Sequence, residues 1–204
     1  MPTDTTPPRA AADAASSAPQ RANARFMLSH PVHIVSLGFG SGLAPFMPGT
    51  FGTLFGWLTF VVLNRYLTVP QWWLVIAVGF VAGIAMTGFT AKRMGAAGLG
   101  TAGSGTAGIG AAGSGATGQG AADPGAVVWD EIVAIWLVML FVTPVTFYGQ
   151  LAAFLLFRFF DMVKPPPIRY FDRHLQGGFG IMFDDLVAAF VTLLVIAFWR
   201  SVVG

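Results

Sequence analysis

Five acidic residues lie at the ends of long apolar stretches in this chain, where a charge beside lipid or a hydrophobic core is costly. They are Asp130, Glu131, Asp161, Asp184 and Asp185. Asp123 lies just upstream of one of these stretches. Because ionisable groups in such positions are commonly functional, the five carboxylates are the first candidates for a reaction site.

Helix capping is the competing explanation for some of these carboxylates. Asp130 and Asp184 are predicted to begin helices, where an aspartate accepts hydrogen bonds from free backbone N–H groups and meets the positive end of the helix dipole. Asp161 is predicted to end a helix, where the dipole disfavours a negative charge. Capping therefore does not account for Asp161.

Basic residues and a glycine-rich segment could contact an anion. Lys164 stands one helical turn after Asp161, and Arg169 and Arg173 follow it, although anchoring at a membrane surface explains the two arginines equally well. The segment GFGSGLAPFMPGT, residues 38–50, precedes an apolar stretch, and the backbone N–H groups of such a turn can form a nest for phosphate. A plain turn leading into a helix is the alternative.

The elements that must position these residues are predicted to be membrane helices. Of the 204 residues, 10% are charged and 55% are hydrophobic, whereas about a quarter of a soluble protein is charged. This composition excludes a wholly disordered chain and argues against a soluble enzyme. The apolar stretches predicted as helices are 51–63, 72–90, 132–142, 145–160 and 186–199.

Several of these stretches are shorter than the roughly 20 residues that cross a bilayer upright. The sequence therefore predicts an all-α, polytopic membrane bundle with three to five membrane-embedded helices. Gly52 with Gly56, and Gly79 with Gly83, stand four apart and are predicted to let helices pack closely.

Two segments are predicted to lie outside this bundle, which otherwise occupies residues 26–204. Residues 1–25 are rich in Ala, Pro, Ser and Thr and are interpreted as a disordered tail rather than a secretory signal. Residues 95–122 repeat Gly with Ala, Ser and Thr and are predicted to form a flexible loop. A G-x-G-x-x-G match at 98–103 follows no strand, so nucleotide binding is not predicted.

The distribution of Lys and Arg predicts which side of the membrane carries the carboxylates. With five crossings, the polar segments before the first stretch, after the second and after the fourth share one side and hold nearly all the cations. That side is expected to be the cytoplasm, and the same topology brings all five carboxylates to it. An all-oxygen cluster suits a hard cation such as Mg²⁺, with Asp130, Glu131, Asp161, Asp184 and Asp185 as ligands.

Other chemistries are excluded by composition. The chain contains no cysteine, which rules out disulfides, thiolate metal sites and a cysteine nucleophile. A net charge of +2 with scattered basic residues gives no reason to expect nucleic acid binding. His30, His33 and His174 are interpreted as interfacial or loop residues, since none has a second ligand at helical spacing.

Four segments resemble one known family, phosphatidylglycerophosphatase A. They are GFGSGLAPFMPGTFG (38–52), VVWDEIV (127–133), FRFFDMVKPPPIRYFDR (157–173) and GGFGIMFDDLVA (177–188). The resemblance implies an all-α bacterial membrane enzyme of the cytoplasmic membrane that removes the terminal phosphate of phosphatidylglycerophosphate and depends on Mg²⁺. Its substrate would be an anionic phospholipid.

Carried over by position, the resemblance assigns roles to residues of this chain. Catalytic roles would fall to Asp130, Glu131, Asp161, Lys164, Asp184 and Asp185. Substrate binding would fall to Gly40, Ser41, Gly42, Pro48, Gly49, Thr50, Arg169 and Arg173. The chain departs from the family pattern in its inserted glycine-rich repeat and in having Pro166 where an aromatic residue is frequent.

Three functions are compatible with these patterns. In the first, the carboxylates hold a metal that activates water in a lipid phosphatase, with Asp185 or Glu131 as general base. In the second, the same carboxylates form the relay of a small ion-coupled transporter, although transport sites usually lie near the bilayer midplane rather than at helix ends. A non-catalytic membrane scaffold is the third, but it would not require acids on three helices.

Overall fold

The computed structural model describes residues 22–96, 125–164, 166, 175 and 177–203, and within these ranges every regular element is a helix. The α-helices are α1 (Ala24–Leu28), α2 (Pro31–Ser36), α3 (Pro48–Leu63), α4 (Val69–Ala96), α5 (Trp129–Val142), α6 (Phe147–Val163) and α7 (Gly177–Val203). A 3₁₀ segment, Gly38–Leu43, lies between α2 and α3. All five stretches predicted as helices are confirmed as helices.

The predicted start of the last helix is wrong. α7 begins at Gly177, so Asp184 and Asp185 lie seven and eight residues inside it and cap nothing. The segment GGFG has low helix propensity, so the sequence predicts a loop there. In the structure these glycines instead allow α4 and α7 to touch: a Cβ on Gly178 would stand 2.8 Å from the backbone nitrogen of Gly88.

Two predicted segment boundaries also shift. α4 continues to Ala96, beyond the expected start of the glycine-rich loop at residue 95, and residues 97–122 of that loop lie outside the described residues. α1 begins at Ala24, so the last residues of the predicted tail are helical, while residues 1–21 lie outside the described residues.

Helix α5 is the centre of the bundle. Its buried side chains form the main hydrophobic core with residues of α3, α4, α6 and α7. Two indole rings tie it to its neighbours: the Trp129 Nε1 donates to the Gly79 carbonyl at 2.9 Å and the Trp136 Nε1 to the Gly56 carbonyl at 3.0 Å. These contacts fix the start of α5, which carries Asp130 and Glu131, against α3 and α4.

Both predicted glycine pairs lie at helix contacts. A Cβ on Gly56 would stand 2.6 Å from Ile135 of α5, and one on Gly83 would stand 2.7 Å from Met182 of α7. Larger residues at Gly56 and Gly83 would therefore separate the helices.

The outer surface of the bundle is apolar. Leu58, Leu74, Leu155 and Phe198, on four different helices, are each more than half exposed. Two helices, Val69–Met94 and Gly177–Val203, are long and apolar enough to cross a bilayer, and only 33% of the most apolar window of each is buried inside the protein. A surface of this kind suits lipid rather than water, which supports a membrane protein.

Candidate active site

Carboxylates from three helices surround Asp185. This side chain is 4% exposed, and Asp130, Glu131, Asp161 and Asp184 all lie close enough to interact with it electrostatically. The structure therefore brings together the five acidic residues that the sequence predicted, from the start of α5, the end of α6 and the first third of α7. We call this group the carboxylate cluster.

Capping does not explain the residues of the carboxylate cluster. The residue before α5 is Val128, and no side chain makes a hydrogen bond to cap that helix, so Asp130 is not its N-cap. Asp130 is itself 7% exposed, within the bundle. The energetic cost of burying these acids must therefore be met by partners in the cluster.

Arg158 is the central cation of the cluster, and it is not among the site residues predicted from the sequence. Its Nη1 donates to Glu131 Oε1 at 3.0 Å, to Asp161 Oδ2 at 2.5 Å and to Thr53 Oγ1 at 3.3 Å. The side chain is 8% exposed. An arginine placed three residues before an aspartate in an apolar helix was the available signal, because that spacing puts both on one face.

Lys164 provides the second cation, as the resemblance implied. Its Nζ donates to Asp184 Oδ2 at 2.5 Å. The residue terminates α6 in a left-handed conformation with φ of 43°, and Pro165, next in the sequence, cannot continue the helix. The end of α6 thus directs Lys164 toward α7.

Glycines at the start of α3 make room for Glu131. A Cβ on Gly52 would stand 2.8 Å from Glu131 Oε2, and one on Gly49 would overlap Oε1. Pro48 is the first residue of α3, after Met47 in a left-handed conformation with φ of 49°. Of the predicted nest, the Pro-Gly-Thr turn therefore adjoins the carboxylate cluster, and the Thr50 hydroxyl is buried without a hydrogen-bond partner among the described residues.

The other half of the predicted nest packs elsewhere. Ser41 donates its hydroxyl to the Gly38 carbonyl at 2.8 Å, and a Cβ on Gly42 would overlap the Ala126 carbonyl. Gly40 has a positive φ of 102° and only Met27 nearby. The structure does not bring Gly40, Ser41 and Gly42 to the carboxylates, and Arg169 and Arg173 lie outside the described residues.

His33 is a buried residue rather than an interfacial or loop residue, contrary to the prediction. Its ring stacks on Phe26 and Phe89, and its Nδ1 lies 3.1 Å from Thr90 Oγ1. Burial lowers the pKa of His33, and the nearby charges of His30 and Arg93 lower it further. The imidazole thus joins α2 to α4 and stands apart from the carboxylate cluster.

The donor chemistry of the cluster fits a hard divalent cation. Its acidic side chains offer carboxylate oxygens, the five acids outnumber the two cations Arg158 and Lys164, and Asp185 Oδ2 is buried without a hydrogen-bond partner among the described residues. In the described part of the chain, no three acids or histidines already stand in the arrangement of metal ligands. Glu131, Asp161 and Asp184 instead direct oxygens to the two cations.

Comparison with known proteins gives one consistent family. A family model described as phosphatidylglycerophosphatase A matches residues 34–200. A Haemophilus influenzae phosphatidylglycerophosphatase A is 36% identical over 172 residues, covering 84% of this chain and 90% of the relative. The Escherichia coli phosphatidylglycerophosphatase A is 34% identical over 177 residues, covering 87% and 88%.

A third relative carries a different substrate in its name. A Bacteroides thetaiotaomicron protein, provisionally named a phosphatidylinositol-3-phosphatase, is 35% identical over 173 residues, covering 84% of this chain and 94% of the relative. No solved structure matches this chain significantly.

Proposed function

This chain belongs to the phosphatidylglycerophosphatase A family, and from that premise we propose that it hydrolyses the terminal phosphate of phosphatidylglycerophosphate to give phosphatidylglycerol and phosphate. It is a phosphoric monoester hydrolase. The observation that supports the chemistry is the carboxylate cluster, in which five acids and two cations meet within an apolar helical bundle. Such a group suits a phosphate ester at a lipid surface better than an ion path through the membrane.

The carboxylate cluster would hold Mg²⁺ through Asp130, Glu131, Asp161, Asp184 and Asp185. Bound there, Mg²⁺ would neutralise charge on the phosphoryl oxygens and lower the pKa of a coordinated water. Burial strengthens this role, because charges in a site from which water is excluded interact more strongly than in solution.

The protein's own groups would bind and orient the phosphate. Lys164, at the end of α6, would pair with phosphate oxygens once the substrate competes with Asp184, and Arg169 and Arg173 follow it in the sequence. The first turn of α3 would offer the backbone N–H of Gly49 and the Thr50 hydroxyl, because Pro48 has no N–H and the Thr50 N–H already donates to the Met47 carbonyl. The acyl chains would remain in the bilayer against the apolar surface of the helices.

Asp185 is the stronger candidate for general base. One of its oxygens is buried and has no hydrogen-bond partner among the described residues, whereas Glu131 is already engaged by Arg158. The base would take a proton from the attacking water as its oxygen bonds to phosphorus. The bond from phosphorus to the glycerol oxygen would break, and that oxygen would leave as an alcohol by taking up the proton that the base had accepted from water.

The protein would be a multi-pass protein of the bacterial cytoplasmic membrane, with the carboxylate cluster on the cytoplasmic side. α4 and α7 are the best candidates for full crossings. Lys92 and Arg93 stand near the end of α4, and Lys164 ends α6, so cations gather at the end of the bundle that carries the acids.

The deciding experiment measures phosphate release by the purified protein in lipid nanodiscs. Phosphatidylglycerophosphate should be hydrolysed, activity should vanish with a chelator, and Mg²⁺ should restore it. Phosphatidylinositol 3-phosphate, named by the third relative, is the competing substrate, and a higher kcat/KM for it would reassign the substrate. Release that is insensitive to the chelator would contradict the metal mechanism, and no release from either lipid would contradict a phosphatase.

A further inference from the structure

Arg158 has no role in the proposed reaction as described above, yet it forms ion pairs with two acids of the carboxylate cluster. We propose that Arg158 binds the phosphate of the substrate, and that Glu131 and Asp161 hold the guanidinium until a divalent cation binds to these two acids and displaces it. This proposal rests on the proposed function and deepens it, since it assigns a phosphate-binding residue to the same site.

The first support is that Arg158 already occupies the carboxylates that would bind a cation. Its Nη1 lies 3.0 Å from Glu131 Oε1 and 2.5 Å from Asp161 Oδ2. Both acids are among the five that suit Mg²⁺. A guanidinium and a metal ion that share the same carboxylates repel each other, and this repulsion is strong in a buried site. Binding of one must therefore loosen the other.

The second support is hydrogen-bonding capacity that the protein leaves unused. Arg158 is 8% exposed, so more than nine-tenths of the residue is buried. Its Nε has no hydrogen-bond partner among the described residues. A guanidinium carries five N–H donors in a fork that matches phosphate oxygens. Burying one of them without an acceptor is unfavourable. The cluster thus lacks an acceptor beside the Nε of Arg158, and a phosphate would supply it.

The third support is position. Arg158 faces the start of α3 through Thr53, and its Nη2 would stand only 3.1 Å from a Cβ placed on Gly49. The buried hydroxyl of Thr50, also without a partner among the described residues, belongs to the same turn. A phosphate bound at this turn would therefore lie within reach of the guanidinium once Glu131 and Asp161 release it.

The test measures metal binding in the absence of substrate, so that it does not depend on catalysis. Mn²⁺ serves as the paramagnetic probe, titrated into wild type, Arg158→Gln and the control Arg65→Gln, which changes an exposed arginine just past the far end of α3. Removal of the competing cation should tighten Mn²⁺ binding, lowering Kd by at least about tenfold. The control should bind as wild type does.

The affinity for inorganic phosphate, measured with Mn²⁺ already bound, should change in the opposite direction. Arg158→Gln should weaken phosphate binding by about tenfold or more, because a charge-assisted, bidentate contact is lost. Vesicles of phosphatidylglycerol, which carries only the diester phosphate, should bind wild type and variant alike. Tighter metal with weaker phosphate is a pattern that a merely structural arginine would not produce, since its loss would loosen the site toward both ligands.

A second comparison protects the test if Arg158→Gln fails to fold with its carboxylates unneutralised. The double variant Arg158→Gln/Asp161→Asn removes one cation and one acid together, so the charge of the cluster is unchanged. It should bind Mn²⁺ more tightly than Asp161→Asn alone, which differs from it only at Arg158.

Two results would overturn the proposal: equal or weaker Mn²⁺ binding on removal of Arg158 in both comparisons, or unchanged phosphate affinity. Failure of the proposed function alone would look different. The protein would then release no phosphate from phosphatidylglycerophosphate, while the opposite shifts in Mn²⁺ and phosphate affinity would persist.

Discussion

Gly49→Ala should act as a wedge between Glu131 and Arg158. A Cβ on Gly49 would stand 2.9 Å from Glu131 Cδ and 3.1 Å from Arg158 Nη2. The new Cβ would also overlap Glu131 Oε1, and since a carbon–oxygen contact is about 3.3 Å or longer, the carboxyl group must move by more than about 1 Å. The 3.0 Å bond between Glu131 Oε1 and Arg158 Nη1 would then be stretched beyond hydrogen-bonding range.

Gly49→Ala changes the free energy of unfolding through two opposing effects. Loss of a hydrogen bond between charged groups costs about 1.5–3 kcal/mol, and replacing glycine by alanine within a helix returns up to about 1 kcal/mol. The free energy of unfolding should therefore fall by about 0.5–3 kcal/mol. Misplacement of a site residue by about 1 Å can lower the rate by about two orders of magnitude, so kcat/KM should fall by about 10–100-fold.

Phosphate release and thermal unfolding, measured on the same preparation, check this prediction. The matched control is Gly79→Ala in α4, where the nearest atom to a new Cβ is the Val133 Cγ2 methyl at 3.3 Å. That variant should keep its activity within about a factor of two, because no carboxylate is displaced. Gly49→Ala with normal activity and stability would refute the reasoning, and equal losses in both variants would show that any added methyl harms this bundle.

Three further outcomes are expected. Asp184→Asn should lower phosphate release by at least about tenfold at limiting Mg²⁺, because position 184 lies inside α7 and capping cannot explain its charge; near-normal activity would remove Asp184 from the site. The unfolding temperature of wild type should fall as pH drops below 6.5, because the pKa of buried His33 lies below that ordinary value and the unfolded chain therefore binds the proton first. His33→Phe should lose this pH dependence. An unchanged dependence of unfolding temperature on pH in the variant would refute the role of His33. Deletion of residues 99–119 should leave turnover largely intact in a folded protein, since no side chain there binds metal or phosphate strongly, and lost activity would assign the loop a role.

The sequence by itself was enough to predict the helices and the acidic residues of the site. Long apolar stretches with few charges form helices because backbone groups in an apolar environment must be satisfied within the segment. Acids at the ends of those stretches were identifiable because a charge there is costly without a function or a partner. The motifs around Asp130, Asp161 and Asp184 also indicated the family before any contact was known.

Tertiary structure alone decided which charges meet. Arg158 bonds to Thr53, 105 positions away, and to Glu131, 27 positions away, and no local pattern specifies such pairings. The start of α7 was misjudged because the low helix propensity of Gly177 and Gly178 is outweighed by close packing of α7 on α4. Gly49 is likewise needed only because the absence of a Cβ leaves room for the Glu131 carboxylate. Helix propensity depends on the sequence of each helix alone. The site forms only where α3, α5, α6 and α7 pack together.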